Sequence, residues 1–369
     1  RSLRSAPRPL PFLQVGNAPA SGALLVTGAA GFIGSSLVRL LRRRWPDRKV
    51  VSFDALSYSG NLENLAELKD DPGHEFVKGD IADCGAVKAV FERFPFSGVF
   101  HLAAESHVDR SIADPGAFVR TNVEGTVVML QEAARAWKGR TDVRFLHVST
   151  DEVFGALGAE GRFSEATPYA PRSPYSASKA ASDHFVRAWA ATYGLPVLVT
   201  NCSNNYGPRQ FPEKLIPFAL LRALSGEPVP VYGKGENVRD WLYVDDHCEA
   251  LARVFEAGIP GRTYCIGGET EARNIDLVGM LLDELDRARG REAGESRRLV
   301  RFVTDRPGHD FRYAMDASRI RAELGWAPRT ALADGLRRTV EWYLSNEAWW
   351  KRLQSGAYRE FESLWYKNR

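Results

Sequence analysis

A short apolar run, Ala23-Leu24-Leu25-Val26-Thr27, leads straight into Gly28-Ala29-Ala30-Gly31-Phe32-Ile33-Gly34, and Leu37, Leu40 and Leu41 follow at helical spacing. No other stretch limits the fold so strongly. A buried strand, a glycine turn and a helix in that order open a dinucleotide-binding βαβ unit. Gly28 allows the tight turn, Gly31 lets a pyrophosphate approach the backbone, and Gly34 lets helix and sheet pack closely. The helix N-terminus then stabilises the diphosphate charge.

The next apolar run, Val50-Val51-Ser52-Phe53, ends at Asp54. A carboxylate there accepts hydrogen bonds from an adenosine ribose and repels a 2′-phosphate, which favours NAD over NADP. The basic run Arg42-Arg43-Arg44 before it reads as a solvated face rather than a phosphate clamp. Further strands are expected at 76–81, 99–104, 143–148 and 196–200, with helical patterns between them. Such alternation predicts the α/β class with a doubly wound parallel sheet. Asp114-Pro115 caps one helix, on which Phe118, Asn122, Val123, Thr126, Val127, Leu130 and Trp137 form a core or interface face. Beyond residue 205, Pro and Gly punctuate 206–236 and 258–268, as expected of a smaller mixed α/β lobe whose loops cover the sheet.

Two polar stretches stand out, the first of them where such a sheet binds ligands, outside the carboxyl ends of its strands. Ser149-Thr150-Asp151-Glu152 follows the expected strand 143–148. Adjacent carboxylates point in different directions, so they address different atoms of a substrate rather than share a proton. Ser173-Pro174-Tyr175-Ser176-Ala177-Ser178-Lys179 opens a long helix, with Ser173 as its cap and Pro174 in its first turn. Tyr175 and Lys179 share one face. A neighbouring ammonium and the positive helix end both favour a phenolate, which makes a tyrosine able to take a proton from an alcohol.

Bulk properties close off other classes. A net charge of +3 gives no electrostatic case for nucleic acid or an anionic membrane. No apolar run approaches the ~20 residues of a membrane span. Cys84, Cys202, Cys248 and Cys265 are scattered, so free thiols in a reducing cytoplasm are expected. The histidines lack ligand spacing, and no metal site is expected.

With Gly28-x-x-Gly31-x-x-Gly34, Asp54 and Tyr175-x-x-x-Lys179 in one chain, the sequence resembles the extended short-chain dehydrogenase/reductases. Within them it is similar to the dTDP-glucose 4,6-dehydratase family over roughly residues 22–345. The stretches that carry this resemblance are 101–109 (HLAAESHVD), 150–155 (TDEVFG), 201–208 (NCSNNYGP) and 305–310 (DRPGHD).

The resemblance implies an NAD-dependent lyase that makes a 4-keto-6-deoxy sugar. Gly28, Gly31, Phe32, Ile33, Gly34, Asp54, Leu56, Ser57, Asp80, Ile81, Leu102, Ala103, Ala104 and Thr121 would line the NAD site. Tyr175, Lys179 and Asn205 would join them at its nicotinamide end. Thr150, Asp151, Glu152, Tyr175 and Lys179 would be catalytic, with Asp151 as acid and Glu152 as base. Ser106, Thr150, Asn204, Lys214, Leu215, Pro230, Tyr232, Arg239, Asn274, Asp305, Arg306, Pro307, Gly308 and His309 would hold dTDP-glucose. Arg239 would meet its diphosphate in bidentate fashion.

Residues 1–21 are set apart as an extension, 22–201 as the NAD-binding domain with 237–257 returning to it, 202–345 as mainly sugar-binding, and 346–369 as a Trp-rich tail helix. A homodimer through the helices near 115–137 and 174–193 is also implied. A related nucleotide-sugar epimerase or decarboxylase would share the Tyr/Lys pair without needing an acid and a base at Asp151-Glu152. A non-catalytic NAD-binding regulator would have no use for these residues together.

Overall fold

The computed structural model describes residues 21–305 and 310–353. Seven strands form one parallel sheet: β1 (Ala23–Thr27), β2 (Val50–Asp54), β3 (His74–Lys78), β4 (Phe96–His101), β5 (Arg144–Thr150), β6 (Val197–Cys202) and, after three strands of the second lobe, β10 (Thr263–Ile266). Their order is β3-β2-β1-β4-β5-β6-β10. The run of Val, Leu and Phe in β1, β2 and β4 is buried throughout, as a parallel sheet covered on both faces requires. Helices Phe32–Arg44 and Val244–Ala257 cover one face, their leucines and valines packed on Leu24, Val26 and Phe100. Helices Cys84–Arg93 and Gly125–Ala136 cover the other, against Leu25, Phe53 and Phe145. Strand order reverses between β1 and β4, which leaves a crevice above their carboxyl ends.

The second lobe holds β7 (Asn204–Tyr206), β8 (Val229–Tyr232), β9 (Val238–Tyr243), β11 (Glu271–Arg273) and β12 (Val300–Val303) in two small sheets, β11-β9-β7 and β12-β8. Its core joins helices Leu215–Leu224, Asn274–Arg289 and Leu332–Ser345 around Trp241, Leu281 and Tyr343. The chain returns to the large sheet twice. Helix Val244–Ala257 packs on Phe32–Arg44, and β10 pairs with β6, although its sequence lies among residues assigned to sugar binding.

Some expected boundaries move. The strands expected over 76–81 and 99–104 end earlier, at Lys78 and His101, because Gly79-Asp80-Ile81 and Leu102-Ala103-Ala104 turn outward as loops. The helix after Asp114-Pro115 is not continuous: a π-helical turn, Val119–Glu124, separates Pro115–Phe118 from Gly125–Ala136. Arg42 and Arg44 are ion-paired with Asp71, Glu249 and Glu256 rather than simply solvated, because helix Val244–Ala257 and the loop before β3 bring carboxylates to them. Helix Glu347–Leu353 buries Trp349 and Trp350 on the body. The rest of the expected tail, residues 1–20 and Arg306–His309 lie outside the described residues.

Candidate active site

The carboxyl ends of the central strands open into a cleft of about 520 Å³. Every residue expected to bind NAD lines it except Leu56, which stands behind Asp54 with its amide on that carboxylate. All five expected catalytic residues line it too.

Its dinucleotide half is built on backbone packing. Gly28 has φ +67°, and a Cβ there would stand 2.8 Å from the Ala103 nitrogen. A Cβ on Gly34 would stand 2.1 Å from the Gly28 carbonyl oxygen. Thr27 Oγ1 accepts from the Leu102 and Ala103 amides, each at 3.1 Å, so the ends of β1 and β4 are tied together. Among the described residues no side chain caps helix Phe32–Arg44, which leaves its N-terminal face to an anion. Asp54 accepts from the Ala30 amide at 2.9 Å and the Leu56 amide at 2.8 Å, and burial raises its pKa. A glycine cradle that any Cβ would fill, with a carboxylate at the end of the second strand, fits NAD.

The reacting half lies between β5 and helix Pro174–Tyr193. That helix starts as expected: Ser173 accepts from the Ser176 amide at 3.1 Å, and Pro174 follows. Thr150, at the end of β5, accepts from the Glu152 amide and donates to Asp151 Oδ1 at 3.2 Å. Asp151 is 2% exposed, and its Oδ2 has no hydrogen-bond partner among the described residues. Burial first, then the Glu152 charge, pushes its pKa well above the carboxylate range. Asp151 is therefore a buried carboxyl whose surroundings favour its protonated form, beside an acidic neighbour.

The Lys179 side chain is held by β5 rather than hydrogen-bonded to Tyr175. Its ammonium donates to the Val148 carbonyl at 2.9 Å and lies 3.5 Å from His147 Nε2. Helical spacing puts both residues on one face, and the Val148 carbonyl of β5 takes the ammonium's hydrogen bond. Burial raises the Tyr175 phenol well above its ordinary pKa, with Glu152 and Cys202 adding to the shift and a hydrogen bond with Thr150 opposing it.

The expected sugar-binding residues separate into two groups. Ser106, Thr150, Asn204 and Lys214 line the cleft, and Lys214 Nζ donates to the Ser106 carbonyl at 3.0 Å. Leu215, Pro230, Tyr232, Arg239, Asn274 and Asp305 belong to the second lobe and do not line it. Arg239 is buried, donating to the carbonyls of Val238, Phe311 and Asp310 and stacking at 4.3 Å on Tyr313. Its donors meet backbone oxygens because segment 310–313 lies against β9, while its charge favours the Asp151 carboxylate form.

The GDP-mannose 4,6 dehydratase family model matches residues 25–339. A dTDP-glucose 4,6-dehydratase of Xanthomonas campestris pv. campestris is 54% identical over 341 residues, covering 91% of this chain and 97% of its own. The chain belongs to the dTDP-glucose 4,6-dehydratase family. Solved members agree with this fold. DesIV of Streptomyces venezuelae, crystallised with NAD and dTDP, is 48% identical, with a TM-score of 0.83 over 90% of this chain and 99% of its own. The Bacillus anthracis dTDP-glucose 4,6-dehydratase, in complex with NAD, is 44% identical, with a TM-score of 0.81 over 90% and 99%.

For this family member the structure adds cleft residues that sequence reasoning did not single out. Gln210, Phe211 and Glu213 line the cleft beside Lys214, and Tyr58 donates to Glu213 at 3.0 Å. Asp183 also escaped notice, although it follows Lys179 at the same four-residue spacing that joined Lys179 to Tyr175.

Proposed function

We propose that the chain is an NAD-dependent lyase that converts dTDP-glucose to dTDP-4-keto-6-deoxyglucose. The observation that supports this best is the meeting of Tyr175, Asp151 and Glu152 in one cleft next to a dinucleotide cradle. When bound, NAD would accept the C4 hydride and give it back to C6 once water has left, with C5 regaining a proton, so the sugar undergoes no net oxidation and the C5 hydrogen is acidic while C4 is a ketone. Tyr175 takes the C4 hydroxyl proton. Glu152 takes the C5 proton. Asp151, held protonated by burial, gives its proton to the departing C6 hydroxyl. Acid and base groups placed this way typically contribute ~10²–10⁴ in rate. An epimerase has no leaving hydroxyl to protonate and so no use for a neutral Asp151.

Ser106, Asn204 and Lys214 would hold the sugar in the cleft, while the second-lobe residues Tyr232, Arg239, Asn274 and the 305–309 run would take the thymidine diphosphate. A thymine methyl in an apolar pocket contributes about 1–3 kcal/mol, so dTDP-glucose is expected to be preferred over UDP-glucose without absolute exclusion. The enzyme acts as a homodimer in the cytoplasm. Exposed Val119, Phe185 and Tyr193 on the helices near 115–137 and 174–193 support the dimer, and the buried free thiols of Cys202, Cys248 and Cys265 support a reducing compartment. Among the described residues no helix is long and apolar enough to cross a membrane. Incubation with dTDP-glucose and mass analysis should show loss of one water. A product isomeric with the substrate would replace this reading with an epimerase, and sedimentation of Phe185→Glu should give a monomer.

A further inference from the structure

Helix Pro174–Tyr193 presents Tyr175, Lys179, Asp183 and Arg187 at successive spacings of four, in one stripe running away from the cleft. The first three are buried, and Asp183 is 0% exposed. A carboxylate with no access to water is rare unless its charge is answered. Here it is answered repeatedly. Tyr169 donates to Asp183 Oδ2 at 2.6 Å, Asn201 Nδ2 lies 3.4 Å from the same oxygen, and His147 Nε2 stands 3.2 Å from Oδ1. That same His147 nitrogen is 3.5 Å from Lys179 Nζ; a neutral ring nitrogen donates to the carboxylate or accepts from the ammonium but not both, so the imidazole stands between the buried anion and the buried cation. Nothing in the proton transfers assigned above uses either His147 or Asp183.

We propose that Asp183 is a positioning residue for the reaction: across the His147 ring it supplies the fixed counter-charge that keeps Lys179 an ammonium at the edge of the cleft. The inference rests on the dehydratase reading for what Lys179 is needed for. The surroundings make Asp183 the natural partner. Burial lowers the Lys179 pKa, and Asp183 is the leading group that opposes this. The His147 pKa is pushed down to about 4 by burial and by Lys179, and that of His101, whose ring is tilted against it at 5.4 Å, is lowered by burial and by the same neighbours. Cys202, from β6, is held as a thiol by burial. Arg187 reaches Asp183 only through the Tyr169 hydroxyl, to which it donates at 2.6 Å. Asp183 is thus an anion next to neutral groups, with Lys179 as the buried cation it serves.

The pH dependence of turnover tests this. In wild-type enzyme the acid limb of kcat reports formation of the Tyr175 base beside a charged Lys179. Asp183→Asn keeps the shape and still accepts from Tyr169 but removes the charge. Lys179 then loses its proton more readily, the phenolate loses support, and the acid limb should move up by at least one pH unit, with kcat at pH 7 down about tenfold. KM for dTDP-glucose should stay within about twofold, since Asp183 touches no sugar-binding residue. A merely structural Asp183 would lower the melting temperature or the active fraction and leave the limb in place. An unmoved limb, or one moved down, overturns the proposal. Should Asp183→Asn not fold, Asp183→Ser, which also removes the charge, should move the limb the same way. A folded Asp183→Ser with the wild-type limb would also overturn it. Wild-type enzyme that fails to dehydrate dTDP-glucose would instead defeat the functional reading itself.

Discussion

Asp151 and Glu152 are neighbours in sequence and opposites in circumstance. Asp151 is buried with one carboxyl oxygen unpartnered, whereas Glu152 is partly exposed at the cleft. Replacing each with its amide should separate the two proton transfers. Glu152→Gln should stop both elimination and solvent deuterium exchange at C5, as read by mass analysis. Asp151→Asn should slow elimination by about 10²–10⁴ while leaving C5 exchange measurable, because only delivery of a proton to C6 is lost. The same burial predicts a stability effect with a definite sign. A carboxyl whose folded pKa is raised binds its proton more tightly folded than unfolded, so its cost grows as pH rises above the unfolded value of 3.8. The slope is about 1.4 kcal/mol per pH unit until the folded group ionises. Asp151→Asn should therefore melt at a higher temperature than wild type at pH 8, and the two should converge near pH 4. A gain that did not depend on pH would mean that the group is not a buried acid.

At the level of elements, the glycine turn decides how closely strand and helix approach. Gly34 has no space for a side chain, since the obstacle is the backbone carbonyl of Gly28 rather than a flexible group. Gly34→Ala should cost about 1–3 kcal/mol by overpacking, measured by urea unfolding, and should weaken NAD binding at least tenfold in calorimetry. The π-helical turn plays a comparable part on the other side of the cleft. It sets Asn122 so that its side chain accepts from the Glu105 amide at 2.8 Å and donates to the Glu105 carbonyl and to Ser178 on the Tyr175 helix. Periodicity read Asn122 as one more position on a core face, because a single inserted residue leaves the hydrophobic spacing on either side almost unchanged.

Across the whole molecule, the C-terminal helix reaches back to the cofactor turn. Trp349 donates to Asn64 at 2.9 Å, and Asn64 in turn donates to the Ala30 carbonyl at 2.9 Å. Trp349→Phe keeps an aromatic ring but leaves the buried Asn64 oxygen without its donor. It should lower the free energy of unfolding by about 1–3 kcal/mol, measured with denaturant. A change below about 0.3 kcal/mol would show that water replaces the indole there.

How much of this was legible beforehand depends on the range of the interaction concerned. Strand, turn and helix around Gly28, the cap at Ser173-Pro174 and the shared face of Tyr175 and Lys179 follow from local backbone chemistry, and the sequence alone determined them. So did the pairing of Asp151 with Glu152 after a strand, because position at the carboxyl end of a parallel strand is itself a prediction of function. What lies across the sheet needed the tertiary structure. Whether the Lys179 ammonium meets Tyr175 or the Val148 carbonyl depends on how far β5 extends beneath the helix. That burial raises the Asp151 pKa, that Arg239 faces carbonyls of segment 310–311, and that Trp349 reaches Asn64 depend on partners tens to hundreds of residues away. Local propensity carries no record of such partners: charge state and donor choice are fixed only when the surrounding groups have excluded water.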